Sequence, residues 1–201
     1  KNTAVGKAAM ELNTTGGENT AVGYSSLYAN TTGANNVAVG RNALNANTTA
    51  SGNTAVGKDS LKANTTGSGN IGIGLDAGTA ITTGNQNIAI GNEALLATTT
   101  NSGNTAVGYI ALQDNTADHN TAVGGQALLQ NTTGTRNVAV GSFSLDANTT
   151  ASENTAVGYA ALSANTTGAN NTSVGRSALS NNTTADSNTA VGYQALGENT
   201  T

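Results

Sequence analysis

The sequence contains no cysteine, no proline and no tryptophan among its 201 residues. Without cysteine there is no disulfide framework and no thiolate metal site. Aromatic residues make up 3% and charged residues 9%, far from the composition of an average globular domain. Chains disordered by composition carry abundant charge and proline, so the scarcity of both argues for an ordered fold dominated by its backbone. The net charge of −4 is spread thinly, with no basic patch or acidic run, which makes nucleic acid and anionic membrane poor candidates as partners, and no nucleic-acid partner is expected. No apolar run approaches the roughly 20 residues of a membrane span, and no basic-then-apolar leader opens the sequence. The pattern is already under way at Lys1-Asn2-Thr3-Ala4-Val5-Gly6, and the chain reads as a segment of a longer array.

What the sequence does contain is glycine, asparagine, threonine and alanine in a fixed order. A pentad of Asn, Thr/Val/Ile, a small residue, Val/Ile and Gly begins at Asn2, Asn19, Asn36, Asn53, Asn70 and Asn87. It begins again at Asn104, Asn120, Asn137, Asn154, Asn171 and Asn188. The spacing is 17 residues except in the seventh repeat, which has 16. The unit reads N-[TVI]-A-[VI]-G-x-x-[AS]-L-x-x-N-T-T-G-x-x, and positions below are numbered from its first Asn. No linker interrupts it, so residues 1–201 read as one tandem-repeat domain.

Each position has a physical role. Short β-branched segments bounded by Gly and Asn-Thr-Thr-Gly clusters predict strands separated by turns. Recurrent Gly and Asn break any helical run before three turns. The expectation is an all-β parallel β-solenoid, or β-roll, of about twelve 17-residue coils. Each coil would hold a strand at Thr-Ala-Val, a turn at the position-5 Gly, a second extended piece around Ala-Leu and a return turn at Asn-Thr-Thr-Gly. The position-5 Gly suits a positive φ or a close backbone approach, and the position-1 Asn an internal ladder along the stack.

Two sizeable apolar side chains per coil, the position-4 Val or Ile and the position-9 Leu, are the candidate core. That is little apolar bulk for an isolated thin coil. In Val37-Ala38-Val39, Ile71-Gly72-Ile73, Ile88-Ala89-Ile90 and Val138-Ala139-Val140 neither strand face is polar, a pattern of strands covered on both sides. Two arrangements satisfy it: side-by-side association of chains about a common axis, and a wider monomeric coil with one core. The first is the expectation, as a homo-oligomer with a trimer favoured.

The stretches Asn36-Val37-Ala38-Val39-Gly40-Arg41-Asn42-Ala43 and Asn87-Ile88-Ala89-Ile90-Gly91-Asn92-Glu93-Ala94 resemble the head repeat of YadA-like trimeric autotransporter adhesins. They are also similar to repeat arrays of phage tail fibres and related surface fibres. The resemblance spans all twelve repeats, although the unit here is longer by its Asn-Thr-Thr-Gly turn. It implies a left-handed parallel β-roll with three chains about one axis, outside a cell or on a virion. It also implies that positions 2 and 4 pack within or between protomers.

Catalysis needs convergent acids, bases or nucleophiles, and the pattern offers none. His119, the only histidine, sits in the shortened repeat near Asp114 and Asp118, where a solvated irregular turn is favoured over a loop ion site. The calcium-binding nonapeptide is absent, and Ile71-Gly72-Ile73-Gly74 is a variant pentad rather than a nucleotide-binding loop. The expectation is therefore no enzyme, no cofactor and no metal site.

Tyr24, Tyr109, Tyr159 and Tyr193 share position 6 with Lys and Arg, which marks it as exposed, and they are candidate ligand contacts. Asn13, Asn30, Asn47, Asn64, Asn131, Asn148, Asn165, Asn182 and Asn199 each open an Asn-Thr-Thr sequon, and they are candidate glycosylation sites that turn chemistry explains equally well. The functional expectation is a structural segment of an extracellular fibre or filament, of adhesin-head or tail-fibre type, mediating surface display or attachment to a host-surface glycan or protein receptor. The alternative is a glycan- or ice-binding module using outward Tyr or Thr ladders.

Overall fold

One three-residue strand forms in each repeat, where two β-branched residues flank a small one. The computed structural model describes residues 1–200 and is an all-β parallel β-solenoid, with no helix among the described residues. The chain divides into two compact units, Lys1–Gly103 and a second beginning at Asn104. In the first unit β1 (Thr3–Val5), β2 (Thr20–Val22), β3 (Val37–Val39), β4 (Thr54–Val56), β5 (Ile71–Ile73) and β6 (Ile88–Ile90) pair in sequence order. In the second, β7 (Thr105–Val107), β8 (Thr121–Val123), β9 (Val138–Val140), β10 (Thr155–Val157), β11 (Thr172–Val174) and β12 (Thr189–Val191) do the same. Every pairing within a unit is parallel and in register, so each repeat position forms a column.

The position-5 Gly ends the strand. Its φ lies near 130° in every coil, for example 133° at Gly23, and a Cβ there would stand 2.6 Å from the Gly40 carbonyl oxygen. Both demands exclude any other residue.

The expected second extended piece around Ala-Leu is not extended. Positions 7 and 9 are left-handed in every coil, as at Asn42 (φ 56°) and Leu44 (φ 49°), so the chain turns there. Leu in this region is costly in isolation. Here the bend lets alternate N–H groups bond in opposite directions: Ser25 donates to the Lys7 carbonyl of the preceding coil, Leu27 to the Ala43 carbonyl of the following one. Coil-to-coil bonding thus continues through the turn without a strand.

The core also differs from expectation. The position-4 Val and Ile do not enter it. The strand's inward residue is the small one, and Ala21, Ala38, Ala55, Ala106, Ala122 and Ala139 are fully buried. Opposite them stand the position-9 leucines, such as Leu44 and Leu145, also with no exposed surface. The coil is too narrow for β-branched bulk to face Leu across it, so strand parity places positions 2 and 4 outside.

Two buried Asn columns close the coil as expected of position 1, and position 12 joins it. Asn36 donates its Nδ2 to the Ala50 carbonyl (2.9 Å), and its Oδ1 accepts from the Asn53 N–H (2.9 Å). Asn47, at position 12, donates Nδ2 to Asn30 Oδ1 (2.9 Å) and to the same Ala50 carbonyl (3.1 Å). Such ladders satisfy buried polar groups while locking register between coils.

One coil departs from this plan in two places at once. Gly78 replaces the position-9 Leu and Ile81 replaces the position-12 Asn, and Ile81 is fully buried. A Cβ on Gly78 would lie 3.0 Å from Ile81 Cδ1, so the Ile fills the volume a Leu occupies elsewhere. Asn64 Oδ1, losing its ladder donor there, accepts instead from Asn70 Nδ2 (3.4 Å).

Candidate functional site

The outward strand columns form the most distinctive surface. Positions 2 and 4 carry only Thr, Val or Ile in all twelve strands, with no charge and no glycine. These side chains are half-buried to exposed: Val22, Val37, Val56 and Val123 each show 36% of their surface and Ile73 39%. The inward face of the same strands is sealed by the coil's own leucines. Each unit therefore presents a parallel sheet with one face covered and the other an open array of methyl groups and Thr hydroxyls. Purely parallel sheets are normally covered on both faces.

Position 6 projects from the turn after the Gly. Tyr24, Tyr109, Tyr159 and Tyr193 are half or more exposed there. In the second unit Tyr159 and Tyr193 stand together with Arg176, whose Cζ lies 5.8 Å from both ring centroids. Phe143, at position 7, meets Tyr159 edge-on at 5.8 Å and 73°. Sequence reasoning singled out the tyrosines but not Phe143 or Arg176; the columnar register, which places Arg176 one coil and Tyr193 two coils on from Tyr159, is the signal that links them.

The Asn-Thr-Thr turns lie differently from what a glycan acceptor needs. Asn30, Asn47, Asn64, Asn131, Asn148, Asn165 and Asn182 are fully buried, and their amide nitrogens are engaged in the ladder. Attachment at those nitrogens requires the coil to open. Asn13 and Asn199 are half-buried. The two Thr columns both reach the surface; the first hydroxyl bonds along the stack, as Thr48 Oγ1 does to the Thr65 carbonyl (3.1 Å).

His119 is exposed in a left-handed conformation (φ 59°) in the shortened coil. No group of three or more His, Asp or Glu side chains able to hold a metal ion occurs among the described residues. No helix there is long and apolar enough to cross a membrane.

Two aspartates have shifted acidities. Burial pushes Asp59 up, but the Asn42 amide (2.8 Å) together with Lys58 and Lys62 outweighs it and holds the carboxyl below its ordinary value of 3.8. Asp146 is raised, because burial outweighs the help of the Asp146 and Ala147 N–H groups; its Oδ1 is buried without a hydrogen-bond partner.

Comparison of the chain with family models, with curated proteins and with solved structures returns no match in any of the three.

Proposed function

We propose that the chain is a structural segment of an extracellular fibre, of adhesin-head or tail-fibre type, displayed on a cell surface or virion. Its copies associate side by side through the outward strand columns, three chains about one axis. The observation that carries this reading is the uncharged, wholly β-branched outer face of a parallel sheet whose inner face is already closed. A face of that kind left in water is a pairing surface, whereas solvent-facing sheets carry charge and polar side chains. The repeat resemblance to trimeric adhesin heads supports the number three. Attachment in such a fibre comes from what the turns display, while the strand columns hold the chains together.

Sedimentation equilibrium tests the reading. The expected mass is three times the 19.6 kDa of the chain. Ile71→Lys with Val138→Lys places charge on the outer face without touching the sealed core, and lowers the mass to that of one chain while circular dichroism is retained. A monodisperse monomer of the unaltered chain overturns it.

A further inference from the structure

The position-6 and position-7 columns of the second unit are chemically unlike the rest of the chain. Across six coils they hold Tyr109, Ile110, Gly125, Gln126, Ser142, Phe143, and then Tyr159, Ala160, Arg176, Ser177, Tyr193, Gln194. That strip has one cation and no carboxylate, in a protein with eleven acidic and seven basic residues. The same columns of the first unit carry Asp59, Asp76 and Glu93 beside Lys7, Arg41 and Lys58.

Within the strip, Tyr159 and Tyr193 flank Arg176, each ring centroid 5.8 Å from the guanidinium carbon. Both rings remain more than half exposed, at 52% and 65%. The edge contact from Phe143 restrains Tyr159, and Arg176 belongs to no ion pair among the described residues. The other arginine of this unit, Arg136, is paired with Glu153 at 3.0 Å. A guanidinium uses its faces against aromatic rings and its N–H edges for bidentate carboxylate recognition, so the two roles do not compete.

We infer that Phe143, Tyr159, Arg176 and Tyr193 form a binding strip for an acidic polysaccharide, one that bears carboxylates on pyranose rings. The C–H face of a pyranose matches the electron-rich face of a tyrosine ring. Two rings separated by two coil rises, about 10 Å, stand about as far apart as alternate sugars of an extended chain. Arg176 lies where the intervening carboxylate falls. Nucleic acid, which also stacks on aromatics, is disfavoured because tracking a phosphate backbone takes a basic groove and this strip has one cation. The strip lies on the turn and not on the strand face, so it is independent of self-association.

Affinity electrophoresis of the full chain through gels containing polygalacturonate, hyaluronan or neutral dextran tests the inference. The expected result is retardation by at least one of the acidic polymers and none by dextran. Tyr159→Ala with Tyr193→Ala, which removes both stacking rings, and separately Arg176→Gln, which removes the carboxylate contact, each weaken that retardation about tenfold or more. Tyr109→Ala, at an exposed tyrosine followed by Gly125 in its column, leaves it unchanged. The inference is overturned by equal retardation in dextran, by absence of retardation in both acidic polymers, or by Arg176→Gln behaving as the unaltered chain.

Discussion

Leu145→Gly and Asn148→Ile, made singly and together, transplant into the ninth coil the pair that Gly78 and Ile81 form in the fifth. Leu145 is fully buried, and removing a buried Leu side chain costs about 2–5 kcal/mol. Relief of the left-handed strain at φ 50° returns about 1 kcal/mol. Asn148→Ile removes the donations to Asn131 Oδ1 (2.9 Å) and the Ala151 carbonyl (3.1 Å), and the acceptor of Asn165 Nδ2 (3.1 Å). The Ala151 carbonyl still accepts from Asn137, and Asn165 still donates to the Gly168 carbonyl. The group that loses its donor is therefore Asn131 Oδ1, at up to about 1–3 kcal/mol, less whatever a long bond from Asn137 Nδ2 returns, as Asn70 Nδ2 gives Asn64 Oδ1 (3.4 Å) in the fifth coil. An Ile forced beside an intact Leu adds about 1–3 kcal/mol of overpacking. The double variant removes both the cavity and the clash and leaves only the weakened acceptor at Asn131. It is expected to be more stable than the sum of the singles by at least about 2 kcal/mol, the upper range for contacting pairs. Urea unfolding of the four proteins at one fixed protein concentration measures this, the concentration being fixed because association adds to apparent stability. Additivity within about 0.5 kcal/mol refutes the compensation.

Gly23→Ala drives a Cβ to 2.6 Å from the Gly40 carbonyl at φ 133°, and is expected to cost more than about 3 kcal/mol or prevent folding, read by thermal unfolding and expression yield. Gln86→Gly works in the opposite direction: Gln86 is left-handed (φ 56°) at a column position where Gly52, Gly69 and Gly103 occur. Relief of strain is expected to raise stability by up to about 1 kcal/mol in the same assay. The two shifted aspartates give opposite pH dependences. Asp146, raised in the fold, burdens the folded state while ionised, so Asp146→Asn is expected to raise the unfolding midpoint near neutral pH and lose that gain as pH falls through the raised folded value toward 3.8. Asp59, lowered in the fold, contributes stability above 3.8 that is lost as pH falls through its depressed value, so Asp59→Asn is destabilising near neutral pH and neutral in strong acid. Thermal midpoints of both variants across that pH range decide the signs.

The period, the parallel stacking, the position-1 Asn ladder and the need for Gly at position 5 are all legible in the sequence, because each follows from repetition or from turn chemistry. The face of the strand that lies inside is not. In Thr-Ala-Val a reader assigns the larger apolar residue to the core, and only the width of the coil, set by Leu27 or Leu44 opposite Ala21 or Ala38, reverses the choice. The turn at Ala-Leu is hidden for a related reason: nothing about Leu announces φ near 50°, and the conformation is imposed by coil-to-coil bonds that neither residue specifies alone. At the candidate site the exposed tyrosines were readable, whereas the Tyr159-Arg176-Tyr193 cluster needed three coils placed in register.

The outward strand face as the surface that joins chains is tested most directly by a single spin label, since the sequence has no cysteine to compete with an introduced one. Thr121→Cys puts the label on the outer face of β8, and Thr133→Cys puts it on the exposed return turn of the same repeat. Pulsed dipolar measurement on each singly labelled protein is predicted to show a short interchain distance from position 121 and a distinctly longer one from position 133. No interchain distance from 121, or a shorter one from 133, contradicts the account.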